Sequence, residues 1–207
     1  TYVELLPKFT ISRSGSFSPY FTFSKGYKAG GYNTQMFSDV LQQRIMSIMG
    51  LSELYTFDKV VSYKPEWSLN YELGAHWQPG HGLSVDAALF YIDCRNQQLT
   101  VFPPGTTTGR MMTNAGRTRS MGVELAATWK PVDDLTLRAS YGYTNATFRK
   151  SNDGRNDYRG KRVPYAPSNT LFGEVNWRIT PLRFMEVTPS LNVSARCVGN
   201  IYWNEAN

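Results

Sequence analysis

From Glu66 to Gln78 the chain alternates without a break. Trp67, Leu69, Tyr71, Leu73, Ala75 and Trp77 occupy the odd positions, and Glu66, Ser68, Asn70, Glu72, Gly74, His76 and Gln78 the even ones. A period of two is the signature of a β-strand, whose successive side chains point to opposite faces. The pattern recurs over 83–91, 120–130, 135–144, 169–178 and 186–196, and more weakly over 5–13 and 18–28, which predicts eight strands. Four connections are short, at 14–17, 79–82, 131–134 and about 179–185. The connections at 29–64, 98–116 and 150–167, and a further polar stretch from Gly199, are long. Short and long alternate. In antiparallel strands this puts every tight turn at one end and every long loop at the other, as in outer-membrane barrels.

Tryptophan fixes the levels of this arrangement. Trp77, Trp129 and Trp177 each precede a proline that opens a short turn (Pro79, Pro131, Pro181), so they share one level and mark a repeat of about fifty residues. Trp67 lies ten residues from Trp77 on the same face. A rise of about 3.3 Å per residue and a tilt of about 40° separate the two by roughly 25 Å, the height of the apolar band between aromatic girdles. Trp67, Trp77, Trp129 and Trp177 are therefore predicted girdle residues, with rings in the interface and N–H groups toward water. Sandwich strands usually run about 5–6 residues, whereas these alternate over ten to thirteen. The predicted fold is all-β, an antiparallel transmembrane β-barrel closed against lipid because open backbone edges cannot be satisfied there.

Composition adds limits. The chain has 207 residues, including 13 Tyr, 11 Phe and 5 Trp, and no run of eighteen apolar residues. A spanning helix is excluded, but spanning strands of about 9–11 residues are not. Cys94 and Cys197 fall on opposite faces of strands four apart and are predicted to be unpaired, inert thiols. Within the 29–64 connection, MFSDVLQQRIMSIMG predicts a short helix near 39–49, with Ser38 as its cap.

With the odd positions against lipid, Glu72, Asp86, Glu124, Arg138, Glu174 and Arg178 face the lumen, as does Arg196. Mixed in sign, they suit ion-pair ladders or contact with a plug, not acid–base catalysis. PPGTTTGR (103–110) lacks the Lys-Ser/Thr and the helix of a phosphate loop, and His76 and His81 are not at metal-ligand spacing. No enzyme, cofactor or metal site is predicted. The formal charge of +6 has no nucleic-acid recognition module behind it, so nucleic acid is not an expected partner. Instead the bases gather at the long-loop end. Arg149, Lys150, Arg155, Arg159, Lys161 and Arg162 oppose Asp153 and Asp157 in RKSNDGRNDYRGKR, with Arg110, Arg117 and Arg119 assigned to the neighbouring loop. A cationic mouth draws anionic solutes. Tyr32, Arg110, Arg155, Arg159, Lys161 and Arg162 are the candidate ligand-binding residues; contact with lipid phosphates, or simple solvation, is the competing reading.

Five phrases occur in order: SKGYKAGGYN (24–33), PEWSLNYELG (65–74), ALFYIDCRNQQL (88–99), TNAGRTRSMGVELAATWKP (113–131) and GKRVPYAP (160–167). Together they resemble the central barrel of TonB-dependent outer-membrane receptors, nearest the ferric-siderophore group. The resemblance implies a 22-stranded barrel with an N-terminal plug. Residues 1–207 would supply about eight of its strands, with the plug domain and C-terminal strands outside the chain. It implies location in the bacterial outer membrane and import of a ferric siderophore or similar iron chelate. The implied partners are the TonB complex, reached through the plug, and outer-membrane lipid or lipopolysaccharide. In these phrases Gly26, Gly30, Gly31 and Gly160 are expected to provide unusual backbone angles. Two alternatives stay open: a TonB-dependent receptor for glycan, cobalamin or haem, and a complete eight-stranded barrel acting as structural anchor or adhesin.

Overall fold

Strand pairing preserves the parity read from the sequence, and this gives the sheet two chemically distinct faces. The computed structural model describes residues 3–34, 45, 48, 61–101, 111–114, 116–151, 157–179 and 188–203. Among these, the strands are β1 (Lys8–Ser12), β2 (Phe17–Lys28), β3 (Gly31–Tyr32), β4 (Ser62–Tyr63), β5 (Glu66–Gly80) and β6 (Leu83–Arg95). They continue with β7 (Gln98–Val101), β8 (Met111–Asn114), β9 (Arg117–Val132), β10 (Leu135–Lys150), β11 (Asn169–Arg178) and β12 (Ser190–Val198). Eight form one antiparallel sheet in the order β1-β2-β5-β6-β9-β10-β11-β12, while β3-β4 and β7-β8 are separate two-stranded ribbons.

Across the sheet, odd residues pair with odd. Phe21 meets Leu73, Leu73 meets Leu89, Leu89 meets Val123, and Val123 meets Tyr143. The row continues on neighbouring strands through Tyr141–Leu171 and Leu171–Cys197. A slip of one residue at any joint would turn the following strands inside out; the irregularities that occur, such as Trp77/Gly80 and Phe148/Lys150, sit at strand ends. The β5–β6 hairpin closes at His81 and Gly82, both with positive φ (51° and 70°), as a primed turn demands.

All eight predicted long strands are present. β1 is shorter than the expected 5–13, and β9 begins early enough to place Arg117 and Arg119 on a strand rather than in the loop assigned to them. The two ribbons at the bases of the long connections were not anticipated; strands of two to four residues carry too little alternation to read. Gly160 has the expected positive φ, but Gly26, Gly30 and Gly31 do not. Close approach is their requirement: a Cβ on Gly31 would lie 2.5 Å from the Tyr63 hydroxyl, and one on Gly26 2.6 Å from Ser68 Oγ. Of the helix expected near 39–49, Ile45 and Ile48 are helical and the remainder lies outside the described residues. The sheet is open, with β1 and β12 as its edges, which is not the closed eight-stranded barrel of the second alternative.

Burial is concentrated at one end. The buried apolar side chains among the described residues are Val61, Met111, Ala146 and Phe148, and the buried polar ones are Asn33, Asp93, Gln98, Thr118 and Ser151. All nine lie at the long-loop end.

Candidate functional site

Polar side chains on the even face are joined across strands. The Tyr20 hydroxyl donates to Glu72 Oε1 at 2.6 Å. Its ring can cross β5 because residue 74 is glycine; a Cβ there would lie 2.5 Å from the ring carbon Cζ. The same ring stacks on His76 at 5.2 Å and 18°, and His76 Nδ1 lies 2.5 Å from Asp86 Oδ1. Glu72, Asp86 and Glu124 line an open concavity of roughly 360 Å³ together with Tyr20, Ser140 and Thr170. Farther along the sheet, Arg138 Nη1 donates to Glu174 Oε2 at 2.9 Å and Asn192 Nδ2 to Glu174 Oε1 at 2.8 Å. Arg178 Nη1 stands 4.0 Å from Asp134 Oδ1 at a tight turn. The seven residues predicted to face the lumen thus share the even register: six divide into an acidic hollow, an ion pair and a turn contact, and Arg196 pairs with Phe172. Three carboxylates around a hollow suit a cationic group supplied from outside the sheet. The Tyr20 and His76 contacts escaped sequence reasoning, because Tyr20 lies in weakly alternating sequence.

On the odd face, Trp77, Trp129 and Trp177 are about half exposed at the tight-turn end. Trp77 pairs with Val85, Trp129 with Leu83, and Trp177 with Leu135 and Leu191. Trp67 stands at the other end, paired with Tyr27 and Arg95. The Arg95 guanidinium lies 4.8 Å from the Trp67 ring centroid and Lys25 Nζ 5.9 Å. At this level the odd face turns from apolar to charged. Asp93, 6 % exposed, accepts from Arg117 Nε at 2.5 Å and Nη2 at 2.7 Å, with Arg95 Nε 3.5 Å away. Sequence reasoning missed this cluster, although continuing the odd parity through Asp93 and Arg95 reveals it.

Four of the six candidate ligand residues lie among the described residues. Tyr32 is exposed on β3. Arg159 donates to Asp157 through its backbone N–H at 2.9 Å and its guanidinium at 2.7 Å, which holds the Asp157 carboxyl below the ordinary range. Lys161 N–H donates to Tyr158 O at 2.9 Å, and Arg162 Nη1 to Thr144 O at 3.3 Å. Arg110 and Arg155 lie outside the described residues. Close by, Tyr165 and Trp203, both exposed, meet edge to face at 5.7 Å.

An open antiparallel wall with one apolar face, one polar face, a tryptophan level and all long connections at one end is a segment of a membrane β-barrel. The family model described as TonB dependent receptor-like, beta-barrel matches residues 1–207, and the chain belongs to that family. The family comprises receptors and transporters in the outer membranes of Gram-negative bacteria. The pesticin receptor of Yersinia enterocolitica is 29% identical over 188 residues, which are 91% of this chain and 24% of that protein. The ferrioxamine receptor of Yersinia enterocolitica is 34% identical over 106 residues, 51% of this chain and 14% of the receptor. Among solved structures, the ferric yersiniabactin uptake receptor from Yersinia pestis superposes with a TM-score of 0.68 at 23% identity. That superposition covers 98% of this chain and 26% of the receptor chain. The chain spans about a quarter of the length of the pesticin receptor.

Proposed function

We propose that the chain is part of the wall and mouth of a TonB-dependent outer-membrane receptor that imports a ferric siderophore or a similar iron chelate. The observation that carries this reading is the parity kept along the body of the eight-strand register, which sets apolar and polar residues on opposite sides while all long connections leave from one end. The choice of cargo is supported by two of the relatives named above, whose names specify ferrioxamine and ferric yersiniabactin. In this reading Trp67, Trp77, Trp129 and Trp177 are the girdle, and lipid or lipopolysaccharide phosphates meet the cations around Trp67. Tyr32, Arg110, Arg155, Arg159, Lys161 and Arg162 belong to the outer mouth and attract an anionic chelate. Glu72, Asp86 and Glu124 face inward, where a cationic group of a plug domain fits their hollow. A plug in the remainder of the receptor links it to the TonB complex.

The test uses the full-length receptor in cells whose own iron receptors are deleted. Radiolabelled ferrioxamine and ferric yersiniabactin are supplied with and without a functional TonB. Uptake of one of the chelates that stops when TonB is removed is the expected result. Uptake indifferent to TonB rejects the mechanism, and failure to take up either chelate rejects the cargo class.

A further inference from the structure

The bases of the first two long connections are tied by side-chain amides that imitate backbone pairing. Asn33, 5 % exposed at the end of β3, donates from Nδ2 to Met112 O at 2.8 Å. Its Oδ1 accepts from Met112 N–H at 2.8 Å. Asn114, at the end of β8, does the same in the opposite direction: Nδ2 donates to Lys64 O at 2.9 Å, and Oδ1 accepts from Lys64 N–H at 2.7 Å. A primary amide offers a donor and an acceptor side by side, as a peptide group does, so each asparagine replaces one rung of a strand ladder. Gln98, 7 % exposed, adds a third link, with Nε2 donating to Ala29 O at 2.8 Å and to Lys64 O at 3.1 Å. Its own N–H donates to Glu66 Oε2 at 2.7 Å. The two ribbons thus join without forming a common sheet.

We infer that Asn33, Gln98 and Asn114 are positioning residues that lock the bases of the 29–64 and 98–116 connections into one body. Whatever displaces one base displaces the other, so Tyr32 keeps a fixed place relative to β7 and β8. The inference does not depend on which solute the receptor imports. It also gives a physical role to four residues from four of the signature phrases: Asn33 of SKGYKAGGYN, Glu66 of PEWSLNYELG, Gln98 of ALFYIDCRNQQL and Asn114 of TNAGRTRSMGVELAATWKP.

Hydrogen exchange of the full-length receptor in detergent micelles tests the coupling. Asn114→Ala should raise exchange at Lys64 and across Ser62–Tyr63, in the other connection, by about tenfold or more, while β5 and β6 stay protected. Asn33→Ala should do the same to Met111–Asn114. Asn33→Asp keeps the acceptor for Met112 N–H and should leave that amide largely protected, which separates the hydrogen bond from a general effect of substitution. Exchange that rises only within the mutated connection, or that is equal for Asn33→Asp and Asn33→Ala, overturns the proposal. Should the alanine variants not assemble, a nitroxide pair at the exposed positions Tyr32 and Thr100 of the otherwise unaltered receptor gives a second readout. One narrow distance distribution supports a single body, and a broad one overturns it.

Discussion

Between Trp67 and Trp77 on β5 only Gly74 is buried, whereas the nine side chains buried among the described residues all lie at the long-loop end. The belt exposes Leu73, Leu89, Leu125, Leu171 and Val193 on the odd face, each by more than 40 %. In water such a surface would bring the chain together with any other apolar surface. The loop end instead collects Val61, Met111, Ala146 and Phe148 beneath its connections and satisfies buried Asn33, Gln98 and Asp93 with named partners. In the proposed membrane reading the difference is one of solvent. The belt relies on a nonpolar medium outside the chain, while the loop end faces water and builds a core of its own.

The largest effect that tests this contrast is at Phe148, 1 % exposed and in ring contact with Tyr158 at 6.4 Å. Phe148→Ala should destabilise the full-length receptor by about 3–5 kcal/mol, read from the midpoint of chemical unfolding. A silent substitution would mean that the loop end has no core worth the name.

Next comes a pair of neighbours on β6. Leu89 faces odd and is 53% exposed; Ala88 faces even, in the acidic hollow. Leu89→Arg should cost about 2–4 kcal/mol in bilayers, as a cation in the middle of a lipid-facing strand does. Ala88→Arg should cost less, because Glu72, Asp86 and Glu124 line the same hollow. On a water-exposed surface, Leu89→Arg would fall within about 0.5 kcal/mol. That outcome, or equal costs for the two, would break the assignment of faces.

Much of the belt was legible because alternation over ten or more residues is strong and each strand of the main sheet pairs with the next one along the chain. Parity alone carried Leu73, Leu89 and Val123 to one face and Glu72, Asp86 and Glu124 to the other. The loop end was not legible for the opposite reason. β3 and β4 have two residues each, and their stabilising contacts run through side-chain amides between positions 79 and 50 residues apart. No periodicity announces such a contact. Arg117 reads as a loop charge until pairing brings it to Asp93. Glycine showed the same limit. The phrases suggest backbone freedom at Gly26 and Gly31, whereas what the structure shows there is the close approach of Ser68 and Tyr63.

The smallest expected effect tests where the loop-end core stops. Asp157 and Arg159 are exposed and bonded to each other, one residue on either side of Tyr158, which touches Phe148. Because Arg159 lowers the Asp157 pKa in the folded protein, their local stabilisation is fully present above the ordinary carboxylate range, about pH 4. It disappears as pH falls through the lowered folded value. The protection factor of the Arg159 N–H, which donates to Asp157 Oδ1, should follow that course, and in Asp157→Asn, whose amide oxygen still accepts that bond, it should be independent of pH. The global unfolding midpoint at neutral pH should not move, since an exposed ion pair contributes little. A midpoint that shifts with Asp157→Asn would carry the core outward through Tyr158 into the 157–161 turn. The boundary between self-supporting and solvent-supported structure would then lie among the candidate ligand residues themselves.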